Sequence, residues 1–235
     1  MPTRRGKNLG TRPLPWRRMT WVTWRQHRLA LAGIVALFSA AGAYLAITGV
    51  AMHLAYAAVS DCRPASSAIC QQVAGRFLDA YAPGTGITLG LFQVIPALIG
   101  AFTGAPLLAR ELETGTFRYA WTQGFGRARW TVAKVVPLAV VITLVAGTFS
   151  GLVSWYVQPI LGAGDNNGPL YPTLFDLLGV ALAAWTLIAF AIGILAGFLI
   201  RRVIPAMVAT IVVGAGLAFA VGGYLREHYT APVVT

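Results

Sequence analysis

Residues Leu174–Leu225 read LFDLLGVALAAWTLIAFAIGILAGFLIRRVIPAMVATIVVGAGLAFAVGGYL, two long apolar runs parted by Arg201 and Arg202. Apart from Asp176 near one end, neither run carries a charge. A bilayer's hydrocarbon core is about 30 Å thick and a helix rises about 1.5 Å per residue, so a crossing takes about 20 apolar residues. Each run meets that length. Lipid offers backbone groups no hydrogen-bond partners, so a spanning segment is a helix or a strand of a closed barrel. A barrel strand alternates apolar with polar residues, whereas these runs are continuous. The stretch predicts two membrane helices, 174–200 and 203–225, joined by an arginine turn.

Three further stretches of the same kind lie upstream, at 29–52, 86–109 and 131–157. The predicted fold is therefore all-α, a polytopic membrane helix bundle with five transmembrane helices. Composition agrees: 57% hydrophobic and 11% charged residues over 235 leave too little polar surface for a soluble domain. A net charge of +11 raises the question of nucleic acid. The placement of the charge excludes it. Eight Lys and Arg residues precede the first span, Arg110, Arg118, Arg127, Arg129 and Lys134 lie around the connection between the second and third, and Arg201 and Arg202 join the fourth to the fifth. The remaining connections carry only Arg63, Arg76 and Arg226. Basic loops thus alternate with nearly neutral ones, the positive-inside pattern, and the N-terminus and both Arg-rich connections are expected in the cytoplasm. A cleaved signal peptide does not fit the first span, because signal cores run only about 7–15 residues.

Residues 1–28 divide into a basic, Gly- and Pro-containing arm and a Trp-Arg segment, Trp16, Trp21 and Trp24 with Arg25 and Arg28, suited to an interfacial elbow at the headgroup level. Met19 is an alternative start. The outer loop 53–85 predicts a helix from Ser66 or Ser67 to about Tyr81, stopped by Pro83 and Gly84. Ile69, Val73, Phe77 and Tyr81 recur on one face, and Cys70 projects onto that side. Cys62 lies eight residues earlier, and an outer location permits a Cys62–Cys70 disulfide, the alternative being two free thiols. Residues 158–173 read as turns, and 226–235 as an outer tail.

The sequence has no Ser-His-acid grouping, no metal-ligand spacing and no phosphate-cradling loop, so no catalytic, cofactor or metal residues are assigned. The spans also lack central carboxylates of the kind that ion-coupled transporters use; Asp176 and Lys134 lie within about a turn of span ends and read as solvated or snorkelling boundary residues. Energy for any transport must come from elsewhere.

The densest chemistry lies in PLLARELETGTFRYAWTQGFGRARWTVAK, Pro106–Lys134. Glu111 and Glu113 close the second span, Gly115 breaks the helix, and Thr114 or Thr116 can cap a short new one. There Phe117 and Trp121, one turn apart, form an apolar ridge flanked by charges such as Arg118, suited to a groove on a cytoplasmic partner. Arg127, Trp130 and Lys134 then share a face entering the third span.

With Gly104, Ala105 and Pro106 before it and Trp121, Thr122 and Gln123 within it, this segment resembles the permease subunits of type-2 ABC exporters of the actinobacterial type. Trp21, Val22, Thr23, Trp24, Arg25, Gln26 and His27 also look like the opening of such permeases. The resemblance implies a multi-pass plasma-membrane transporter subunit that is not itself an enzyme. It implies a separate cytoplasmic ATPase, holding ATP and magnesium and contacted through 111–123, and a second permease copy, identical or related. It further implies a substrate route between copies, flanked by the second and fifth spans, with Phe92, Gln93, Phe102, Thr103, Thr210 and Phe219 as candidates. Family members generally have six spans, so the sixth is expected to be missing from this sequence. A non-transporting membrane scaffold or sensor that recruits a cytoplasmic partner is the competing reading, and a membrane-embedded lipid enzyme fits least, for want of clustered acids or histidines.

Overall fold

The computed structural model describes residues 16–115, 127–164 and 172–225. Helix α1 runs unbroken over Trp16–Ser60, so no turn separates the predicted elbow from the first span. Helix α2, Ala68–Phe92, starts where Ser67 caps it: the Ser67 hydroxyl accepts the Cys70 N–H at 3.2 Å. A disulfide joins Cys62 to Cys70 across the α1–α2 turn.

The sequence placed the end of this helix at Pro83–Gly84, but it continues for two and a half more turns. In an apolar surrounding a broken helix would leave several backbone groups without partners, whereas a proline inside it forfeits only one N–H. The chain breaks instead at Gln93–Val94, ahead of Pro96 in the first turn of α3, Ile95–Ile99. A π-helical turn, Gly100–Gly104, follows, and then α4, Ala105–Thr114. The second crossing is thus an articulated helix stretching well beyond 86–109 at both ends. Helix α5 covers Arg127–Gly162, α6 is the single turn Pro172–Phe175, α7 is Val180–Ile200 and α8 is Val203–Phe219. Arg201, left-handed at φ 58°, and the extended Arg202 make the short link from α7 to α8.

Two parallel pairings organise the bundle. Phe38, Gly42, Gly49 and Tyr56 of α1 lie in turn against Phe149, Leu152, Trp155 and Gly162 of α5, so these helices run in the same direction. Ile34, Phe38, Leu45 and Met52 are buried on the α1 seam, and Leu138, Ile142, Phe149, Val153 and Tyr156 on α5. Trp155 packs over Gly49, where any side chain would collide with its ring.

The second pairing sets the articulated crossing against α7. Gly100 lies on the backbone of Ala189, Gly104 on that of Phe190, and Gly193 and Gly197 on Gly100 and Ala105. Two glycine-x3-glycine pairs therefore meet face to face, with close backbone approach supplying the dispersion contacts that hold helices together in lipid. Because α7 also packs on α5 and α8, it is the centre of the bundle.

The outward faces are strongly apolar: Val180 is 86% exposed, Phe219 81%, Ile204 75%, Ile47 74% and Leu54 73%. In water such a surface would associate or aggregate, whereas in hydrocarbon it costs nothing.

Candidate coupling site at the basic end of the bundle

The alternation of the spans gathers Arg28, Arg110, Lys134, Arg201 and Arg202 at one end. There α4 stops at Gly115, whose φ of 72° only glycine adopts without cost. In the last turn, the Thr114 hydroxyl donates to the Arg110 carbonyl at 2.8 Å.

The two glutamates are engaged within the chain. Glu111 forms an ion pair with Lys134 of α5, the side chains being 17% and 10% exposed. This corrects the boundary reading of Lys134: it does not snorkel to headgroups but is enclosed and neutralised by a carboxylate contributed from another helix. Arg127 and Trp130, predicted to share a face with it, also lie within α5. Glu113 is exposed, and its Oε2 accepts the N–H of Val203 at 3.2 Å. Val203 opens α8, whose N-cap residue Arg202 makes no side-chain capping bond, so Glu113 supplies the acceptor and the favourable negative charge from a different helix. Asp176, in the turn between α6 and α7, accepts the Trp185 indole N–H at 3.2 Å. Thr116, Phe117, Arg118, Trp121 and Gln123 lie outside the described residues, as do 1–15, 165–171 and 226–235.

The six route candidates separate. Thr103 and Thr210 are fully enclosed, and their hydroxyls donate back to Ile99 and Ala206 carbonyls of their own helices. Gln93, Phe102 and Phe219 are exposed on the outside of the single chain, and Phe92 packs edge-on against Phe149. They do not line one internal cavity. What the sequence analysis did not single out is the glycine seam; its signal is the repeated glycine spacing at 100–104 and 193–197.

Five helices long and apolar enough to cross a bilayer, arranged around α7 with their basic ends together, define an integral membrane protein of the helix-bundle class. The chain belongs to the ABC-2 membrane transporter related family, whose model matches residues 23–226. That family points to a permease subunit of an ABC transporter, and implies an ABC ATPase as partner and a membrane as surroundings. No curated protein and no solved structure matches the chain.

Proposed function

We propose that this chain is the membrane-spanning subunit of an ATP-driven exporter of the plasma membrane, with its N-terminus cytoplasmic. Of the expected contact 111–123, Glu111 and Glu113 are engaged within the chain, and residues 116–123, led by Phe117 and Trp121, seat on a separate ATPase that binds ATP and magnesium. Two permease copies work with two ATPases, and substrate passes between the copies along faces that include Phe102 and Phe219. The observation that carries the reading is the anchoring of the 116–126 connection: the helix before it and the helix after it are tied together at the basic end by Glu111 and Lys134. A connection held at its base delivers force to the spans rather than dissipating it in loop motion.

The test is co-purification with a candidate ATPase encoded beside this chain, followed by the ATPase rate of the complex in proteoliposomes. Wild type retains the ATPase and alters its rate of hydrolysis, and Trp121→Ala loses both effects. Equal retention and rate in Trp121→Ala would remove residues 116–123 as the contact. A chain that recruits a partner without changing ATP hydrolysis would instead be the scaffold.

A further inference from the structure

Glu111 and Glu113 stand two residues apart on α4, about 200° around the helix axis, so they point to opposite sides. One reaches α5 through Lys134 and the other reaches α8 through the Val203 N–H. Gly197 of α7, one turn before that helix ends, lies on the backbone of Ala105 and Ala109, so α7 packs on α4 just ahead of the last turn, from which the two carboxylates reach α5 and α8. Gly115 follows at once and ends the helix, which leaves no more than a turn between the ties and the segment proposed to meet the ATPase.

We infer that the last turn of α4 is a crosspiece, with Glu111 and Glu113 as positioning residues that fix the third and fifth spans to the second. Displacement of the segment after Gly115 then reaches both spans at once. The two carboxylates are not part of the surface offered to the ATPase. This rests on residues 116–123 being that surface.

The physical basis is the difference between the two ties. Glu111 and Lys134 are largely shielded from water, where breaking an ion pair between two helices is costly. Among the described residues, Glu111 Oε2 is buried and has no hydrogen-bond partner, so there the carboxylate's contact is with Lys134. Glu113 holds an exposed amide by a single bond and yields more readily. The third span thus meets α4 chiefly through the Glu111–Lys134 pair, whereas the fifth already packs on α4 through Ala105, Ala109 and Ala206 and gains one further bond from Glu113.

The experiment places nitroxide labels at Val132→Cys and Ile204→Cys, both outward-facing positions at the starts of α5 and α8. The two native cysteines are in the disulfide and do not compete for label. Pulsed electron–electron resonance on the chain in nanodiscs is expected to give one narrow distance. Glu111→Gln and Glu113→Ala lose it to a broad distribution, and the exchange Glu111→Lys with Lys134→Glu restores what Glu111→Gln lost. In the ATPase complex, Glu111→Gln retains the partner while the change it imposes on hydrolysis falls about 2- to 30-fold, the range of couplings carried through such networks. Loss of the ATPase from Glu111→Gln would make the carboxylate a contact and overturn the inference. An unchanged distance, or an unchanged effect on hydrolysis, would overturn it as well. If wild type holds no ATPase at all, the reading of 116–123 falls, and the label distances alone decide the crosspiece.

Discussion

Replacing Gly193 by alanine adds one methyl group at one of the two tightest points of the seam between α7 and the second crossing. An ideal Cβ there would overlap the Gly100 carbonyl oxygen and lie 2.9 Å from the Ala105 nitrogen. Carbon contacts are comfortable at about 3.5–4.0 Å, so the helices must part by roughly 1 Å. Both obstructing atoms are backbone and cannot rotate aside, which places the cost toward the upper part of the about 1–3 kcal/mol typical of overpacking. Alanine's helix propensity returns about 1 kcal/mol, leaving a net loss of about 1–2 kcal/mol. Gly216→Ala is the internal control, because nothing lies within 4 Å of a Cβ there and only the propensity gain applies. Reversible unfolding in mixed micelles, titrated with a denaturing detergent, is expected to show Gly193→Ala less stable than wild type and Gly216→Ala unchanged or slightly more stable. A Gly193→Ala protein as stable as the control would refute the close backbone approach of the two glycine pairs.

Opening the Cys62–Cys70 bridge, by Cys70→Ser or by reductant, releases a loop of sequence separation 8 and costs about 2.5 kcal/mol on the loop-entropy model, read as faster proteolysis of the α1–α2 turn. Ser150→Ala removes the buried hydroxyl that donates to the Leu177 carbonyl at 2.9 Å, and about 1 kcal/mol of stability with it, measured in the same detergent titration. Glu113→Ala uncaps α8, and hydrogen exchange should quicken at residues 203–206 while amides in the middle of α8 keep their protection. For orientation, a cysteine at Arg118 is expected to react with an impermeant maleimide only after cells are opened; labelling of intact cells would invert the proposed topology.

How much of this was legible from residues alone depends on the range of the interaction. Hydropathy is summed along the chain, and a bilayer imposes one length on every crossing, so the five spans and their all-α character follow from 20-residue windows. Gly115 likewise announces a helix end, because the left-handed conformation found there is a local property of the backbone. Local cues fell short where lipid or a neighbouring helix changes the cost. Pro83 reads as a stop in water, yet α2 passes through it; the true break is ten residues on, before Pro96.

The candidate site stands out in the sequence by its composition, but the contacts within it do not. A glutamate pair at a span end, next to a basic connection, looks in sequence like a solvated surface. Only the tertiary structure turns Glu111 toward Lys134, 23 residues away, and Glu113 toward Val203, 90 residues away. The enclosure of Thr103 and Thr210, whose hydroxyls donate to carbonyls of their own helices, is likewise visible only in three dimensions. Sequence by itself determined that this chain lives in a membrane as a helix bundle with most of its positive charge toward one end, since transfer free energy and charge are properties of residues taken singly. Which helices touch, which carboxylate meets which cation, and which glycines let two backbones meet were decided only in three dimensions, because those energies belong to pairs of residues that the chain order keeps far apart.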